Sequence, residues 1–350
     1  MSKISPRPVQ PAEWAPHDSV WLAWPSHADL WQEALPDARA AFVAFARGIA
    51  DVDAEGRARG ESLDVLVPDA ANDAEARTAL AGLPVRFHRI PFGDIWMRDI
   101  APIFVHAADG SLAAARFRFN GWGGKYVLPH DADVAERVAV ASGLPTHVHD
   151  FVLEGGSVEV DGEGTILTSE QCLLHPNRNP TLGRAAIERA LCEALGGTKV
   201  LWVTEGLVND HTDGHIDTIA RYVAPGVVAV MEPAGDDDPN ADVMRRIAAE
   251  LEGQTDAAGR TLRVARVPSP GAVLDEDGEP MPASHVNFYI ANSTVIVPTY
   301  GTATAAAAVA AIGALFPGRR AIGVDAKAIL EGGGAFHCIS QQQPARKERA

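Results

Sequence analysis

The sequence has few cysteines, a deficit of basic residues and no long apolar run, and each shortage removes a class of protein. Cys172, Cys192 and Cys338 are the only cysteines among 350 residues. They lie far apart, without the paired spacing of a metal site, and their odd number argues against a disulfide framework. Thirty Lys and Arg stand against 46 Asp and Glu, a formal charge of −16 at pH 7. Such a chain repels nucleic-acid phosphates and anionic membranes, while a small cation suits it as partner. No segment offers roughly eighteen uninterrupted apolar residues, and Met1 to Pro11 is polar and proline-rich, unlike a signal peptide. The expectation is a cytoplasmic protein that binds neither nucleic acid nor membrane.

What is present is 47% hydrophobic residues, enough for a large core. We expect one catalytic domain over 1–350, with its core at about 10–344 and a short polar tail at 345–350. Four hairpin patterns begin near Asp99, Gly156, Asp217 and Asn287, turning at Ala108-Asp109-Gly110, Asp161-Gly162, Pro225-Gly226 and Asn292-Ser293. They recur roughly every sixty residues, and helical patterns lie between them at 132–142, 182–195 and 241–251. Another covers 302–314. A fifth unit can be assembled from 19–24, 63–67 and a terminal strand at 336–340. The fold class is α/β, a pseudo-symmetric ring of five ββαβ-type repeats. In it Asp99 and Asp217 stand at equivalent strand starts, aimed at the centre.

Cys338 follows Gly332-Gly333-Gly334-Ala335-Phe336-His337, a glycine-rich approach that lets a substrate reach a thiol nucleophile. Asn209 to Asp217 is the densest cluster of titratable groups, and two readings of it compete. On a helix His211 and His215 would share a face and, with Asp217, could hold zinc; Gly214 and the Thr212 after the first histidine weaken that reading. On a strand His215 and Asp217 would point the same way, as general acid/base and anionic clamp. His337 adjoins Cys338 but reads as a supporting residue, and Cys172 and Cys192 read as structural. Lys125 reads as exposed.

Together Asp99, Glu154, His215, Asp217 and Cys338 suit a guanidinium substrate. Carboxylates bind its planar cation in bidentate fashion, and a thiolate can attack its central carbon with loss of ammonia. One histidine can serve both half-reactions, and no metal or organic cofactor is required. A metal-dependent hydrolase and a silent guanidine-binding protein are the alternatives.

Trp14 with Pro16-His17, Trp21 to Pro25, Trp96-Met97-Arg98-Asp99, Phe119 to Gly124, Glu154-Gly155-Gly156-Ser157, Asn177-Arg178-Asn179-Pro180, Asp213 to Asp217 and Gly332 to Cys338 resemble the agmatine deiminases. The resemblance runs from about residue 10 to Pro344. Bacterial peptidyl-arginine deiminases are close relatives, and both belong to the pentein superfamily. The resemblance implies a five-bladed α/β propeller and hydrolysis of agmatine to N-carbamoylputrescine and ammonia, a step of putrescine and polyamine biosynthesis. It also implies a covalent S-alkylthiouronium intermediate on Cys338, His215 as acid/base, Asp99 and Asp217 as clamp, and Glu154 beside them. The substrate-binding set is Trp96, Asp99, Trp122, Asp217, Gly332 and Gly333, and a homodimer is expected. Ile100, Ala101, His211 and Ala335 depart from the family's pattern beside the acids and the nucleophile, which bears on the guanidine compound preferred.

Overall fold

Each of the four hairpins folds as an antiparallel pair, and each pair is followed by a helix and a strand that returns parallel to its second member. Ile103–His106 pairs with Leu112–Arg118, and after the helix Asp131–Ser142 the strand Thr146–Val152 joins them. Val158–Val160, Thr165–Ser169, Arg184–Leu195 and Lys199–Val203 repeat the arrangement. So do Ala220–Ala224, Val227–Glu232, Ala241–Leu251 and Arg263–Pro268. The fourth unit is Tyr289–Ile290, Thr294–Thr299, Ala305–Leu315 and Arg320–Asp325. The fifth joins both chain ends: Gln341–Pro344 lies antiparallel on His17–Ala23, and after Leu35–Ala50 the strands Ser62–Val67 and Val85–Arg89 follow in parallel. This computed structural model describes residues 7–347, so the expectations for the first six residues and for 348–350 of the tail lie outside the described residues.

The local causes are plain in the sequence. Gly110 and Gly226 turn their hairpins at φ of 83° and 71°, where a side chain would be strained. In the helix Ala241–Leu251, Ala241, Met244, Ile247, Ala248 and Leu251 recur at three- and four-residue intervals and are the buried face. The strand beneath it is apolar on both sides, because its unit is covered by the helix on one face and by a neighbouring unit on the other.

Contacts pass from unit to unit and return to the first. Ile103 and Val105 share a core with Val158 and Val160. The helix Ala241–Leu251 packs on Lys199–Val203, Ala305–Leu315 on Arg263–Pro268, and Leu35–Ala50 on Thr294–Thr299. Gln341–Pro344 then lies beside Ile103–His106. Among the described residues no helix is long and apolar enough to cross a membrane.

Two expectations need correction. The terminal strand is 341–344, and 336–340 is a compact turn in which Ile339 N–H donates to Ala335 O and Ser340 N–H to His337 O. Phe336 forces this shape: it is fully buried and stacks on Phe45, ring centroids 4.6 Å apart and 9° from parallel. Asp99 and Asp217 are likewise not strand residues. Asp99 lies in one helical turn, Met97–Ile100, ended where Ala101 turns extended before Pro102. Asp217 lies in the 3-10 turn Ile216–Thr218.

Since Phe336 is the plug on which the turn is wound, Phe336→Ala is expected to cost about 3–5 kcal/mol. Denaturant unfolding would measure this, and a loss below about 1 kcal/mol would show that the plug is dispensable.

Candidate active site

The turn before the first strand of each unit carries a polar group to one place. These are Asp99, Glu154, His215 with Asp217, Asn287 and Cys338, from the first to the fifth unit respectively. All are buried. A cavity of about 560 Å³ reaches two of them, Asp99 and Cys338, with Trp96, Trp122 and Gly332 to Gly334 also among its walls, and the others lie beneath.

Gly156 marks the point of convergence. A Cβ placed on it would stand 2.6 Å from His215 Nδ1, 3.0 Å from Asp99 Oδ1 and 3.1 Å from Asp217 Oδ2. Its N–H donates to Asp99 Oδ1 at 2.9 Å, and Trp122 Nε1 donates to Asp99 Oδ2 at 2.9 Å. Burial raises the Asp99 pKa to about 6; His215 opposes the rise, and Asp217 and Glu154 add to it. Burial also works to raise Asp217, but the hydrogen bond from His337 and the charges of His337, His215 and Arg98 outweigh it and leave its pKa lowered. For His215 burial favours the neutral ring, yet Asp99, Cys172 and Glu154 hold its pKa well above the ordinary value. Asp217 Oδ1, Glu154 Oε2 and both ring nitrogens of His215 are buried without a hydrogen-bond partner among the described residues.

Cys338 Sγ lies 3.7 Å from Asp217 Oδ2 and receives the Asn287 amide at 3.2 Å. Burial raises its pKa well above the usual thiol value, and Asp217 and Asp99 raise it further. The glycines before it serve close approach. A Cβ on Gly332 would meet the Trp31 and Trp96 rings at 2.7 and 2.9 Å, and one on Gly334 would meet Trp96 at 2.7 Å and Cys338 Sγ at 3.1 Å. Both indoles are fixed from behind by Asp94, at 3.0 Å from Trp31 Nε1 and 2.8 Å from Trp96 Nε1.

All five catalytic candidates thus come together, with Trp96, Trp122, Gly332 and Gly333 around them. The strand reading of His215 and Asp217 gives way to a turn, and the zinc-helix reading fails, because 211–215 is not helical: His215 is buried while His211 is exposed at the cavity mouth against Tyr126. Lys125 is exposed, as expected, and there pairs with Asp213 at 2.5 Å and donates to His211 O. Ile100, Ala101 and Ala335 are buried and lie behind the site.

Sequence reasoning missed three residues. Asn287 bonds both to Cys338 and, at 3.3 Å, to Asp217 O, and its place ahead of the fourth hairpin could have revealed it. Arg178 pairs with Glu154 Oε1 at 2.7 Å, with Asp213 at 2.6 Å, and donates to Thr212 O, which ties the 211–213 loop to the site. Cys172, expected to be structural, lies beside His215: its Sγ, a His215 nitrogen and a Glu154 oxygen fall within 4.8 Å of one another, a donor set that could accept a metal ion. Glu13, Glu159 and His337 form a second such group, but Arg221 already pairs with both glutamates.

A sequence model of the Porphyromonas-type peptidyl-arginine deiminases matches residues 9–344. The agmatine deiminase of Ectopseudomonas mendocina is 38% identical, over 96% of this chain and 95% of that protein. The structure of the Enterococcus faecalis agmatine deiminase superposes with a TM-score of 0.88 at 31% identity, covering 99% of each chain. DDAH from Pseudomonas aeruginosa, at 13% identity and a TM-score of 0.52 over 93% of this chain and 99% of its own, shares the fold alone. The chain, matched along almost its whole length, belongs to the family of agmatine deiminases and Porphyromonas-type peptidyl-arginine deiminases.

Proposed function

We propose that the protein is a cytoplasmic agmatine deiminase, converting agmatine and water to N-carbamoylputrescine and ammonia, a step toward putrescine. The observation that carries this is the convergence of Asp99, Asp217 and His215 on the edge of Gly156, with Cys338 beside Asp217. Two buried carboxylates there match a planar cation with donors on every nitrogen. Glu33, Glu276 and Glu331 are exposed on the same cavity and suit the second cation of agmatine; they repel the carboxylate of free arginine.

The guanidinium entering between Asp99 and Asp217 offsets the charges that hold the Cys338 thiol protonated, and its proton leaves to solvent. The thiolate forms a C–S bond to the central carbon. Cationic His215 gives a proton to an amino nitrogen, the C–N bond breaks, and ammonia departs from an S-alkylthiouronium. Neutral His215 then takes a proton from water as the oxygen bonds to the carbon. The C–S bond breaks, the remaining hydroxyl proton leaves to solvent, where ammonia takes it up, and the restored thiolate regains from solvent the proton it gave up at the start. The indole walls and the Asn287 amide keep the reacting atoms in register.

Cys338→Ala is expected to abolish release of ammonia and ureido product from agmatine while melting like the parent. A panel of agmatine, free arginine and an arginyl peptide should place agmatine first; a preference for the peptide would move the substrate to protein-bound arginine. Because Asp99 must be ionised to hold the cation and its pKa is about 6, kcat/KM for agmatine should fall as pH drops through about 6. A kcat/KM unchanged down to pH 5 would remove Asp99 from the clamp. Gly156→Ala pushes a methyl among three site groups and should lower kcat/KM by about a hundredfold with little change in Tm. Retained activity would show that the groups tolerate displacement.

A further inference from the structure

His337 stands between two carboxylates. Its Nδ1 is 2.7 Å from Asp217 Oδ2 and its Nε2 is 2.7 Å from Glu13 Oε2. Two lone pairs cannot face each other at that distance, so each contact must hold a proton. At the outer end its place is fixed. Glu13 Oε2 also receives Arg221 Nη2 at 2.7 Å, and Glu13 Oε1 receives the Ile290 N–H at 2.8 Å, so Glu13 has two strong donors besides His337. Arg98 Nη2 adds a second guanidinium at 3.7 Å. Burial works to raise the Glu13 pKa, but Arg221, His337 and Arg98 hold it well below the ordinary range. Glu13 is therefore an anion, and Nε2 carries a hydrogen that it donates.

The inner proton is contested. It can sit on Nδ1, which makes His337 a cation and Asp217 an anion, or on Asp217, which leaves both neutral. Burial and the charges of Arg221 and Arg98 outweigh Glu13 and the Asp217 hydrogen bond and lower the His337 pKa, which favours the neutral pair; the lowered Asp217 pKa favours the ionised one, and the outer contact to anionic Glu13 at 2.7 Å decides for the proton on the ring. Only the ionised form of Asp217 pairs with a guanidinium through its free Oδ1.

We propose that Glu13 is a positioning residue for the reaction: through His337 it keeps the inner proton on the ring, so that Asp217 meets the substrate ionised and with Oδ1 turned toward it. This rests on Asp217 as the guanidinium clamp. Glu13 touches neither substrate nor nucleophile. It comes from the segment ahead of the first strand, 324 residues from His337. Among the described residues no carboxylate closer in sequence hydrogen-bonds the outer nitrogen: Glu159, within 4.8 Å of His337, is taken up by Arg221.

The test uses Glu13→Gln, His337→Asn and the double variant in the full chain. Glu13→Gln should raise KM for agmatine by about tenfold or more while kcat changes by less than about threefold, since charge on the clamp is lost but the nucleophile and acid/base are untouched. His337→Asn leaves the Glu13 contacts to Arg221 and Ile290 in place, so it guards against simple misfolding of the Gln variant, and it should show the same split. In the His337→Asn background, adding Glu13→Gln should cost nothing further in KM. Effects that multiply in the double variant, or a Glu13→Gln that lowers Tm with KM unchanged, would make Glu13 a structural residue and overturn the proposal. A readout independent of turnover separates this from failure of the assigned reaction. With ¹⁵N-labelled histidine, the ring assigned by its loss in His337→Asn should carry both protons in the parent at pH 7 and one in Glu13→Gln. A singly protonated ring in the parent would overturn the proposal even if agmatine is turned over. If no guanidine compound is turned over while the ring behaves as stated, it is the reaction that is wrong.

Discussion

Asp99, Glu154 and Asp217 are buried in one place, and the cost of holding three carboxylates out of water together shapes the surrounding structure. Each is treated differently. Glu154 has a guanidinium, that of Arg178, at 2.7 Å. Asp217 has a protonated contact to His337, backed by Glu13, Arg221 and Arg98. Asp99 receives only uncharged donors, Trp122 Nε1 and the Gly156 N–H, with the ring of His215 at 3.8 Å. It is accordingly the acid whose pKa climbs to about 6. Asp99 is thus the one of the three acids without a hydrogen-bonded cation of its own, and a guanidinium supplies one.

The five-unit architecture explains how such a concentration of like charge can be tolerated. Each acid rides on its own turn, anchored by its own sheet and helix, so mutual repulsion acts against four hydrophobic cores shared between the units and not against one flexible loop. The turns are short and followed at once by buried strands, which leaves little slack for the acids to swing apart. Chemistry divided among units in this way exists only when the last has docked. Cys338 arrives with the unit that joins both chain ends, so the nucleophile is placed by the contact that closes the ring.

Much of this was legible in the sequence, and the limits have physical reasons. Turn glycines and the alternation of apolar runs reveal the hairpins, because those signals are local; Gly110 and Gly226 are found where they were expected. Asp99, Glu154, His215, Asp217 and Cys338 stand out because glycine or tryptophan flanks them. What failed was local geometry and remote partners. The turn at 335–340 looks extended until the burial of Phe336 against Phe45 is known. Arg178 sits in a motif that carries the resemblance, but its role, like that of Glu13, depends on loops and rings brought to it from far along the chain. Cys172 looks structural for the same reason, its proximity to His215 being a product of packing.

The same electrostatics gives the reaction a direction. Before substrate arrives the thiol is held protonated by burial and by Asp217 and Asp99, so Cys338 is a poor nucleophile toward neutral electrophiles. A cation between those acids offsets their share of its high pKa, so reactivity rises with the correct charge in place. Deimination then erases that charge. A ureido group is neutral, so Asp99 and Asp217 lose their ion pairs to the product at the moment it forms, and the repulsion between them returns. Release follows from loss of the charge that favoured binding, and Cys338, again facing two acids without a substrate cation between them, takes its proton back.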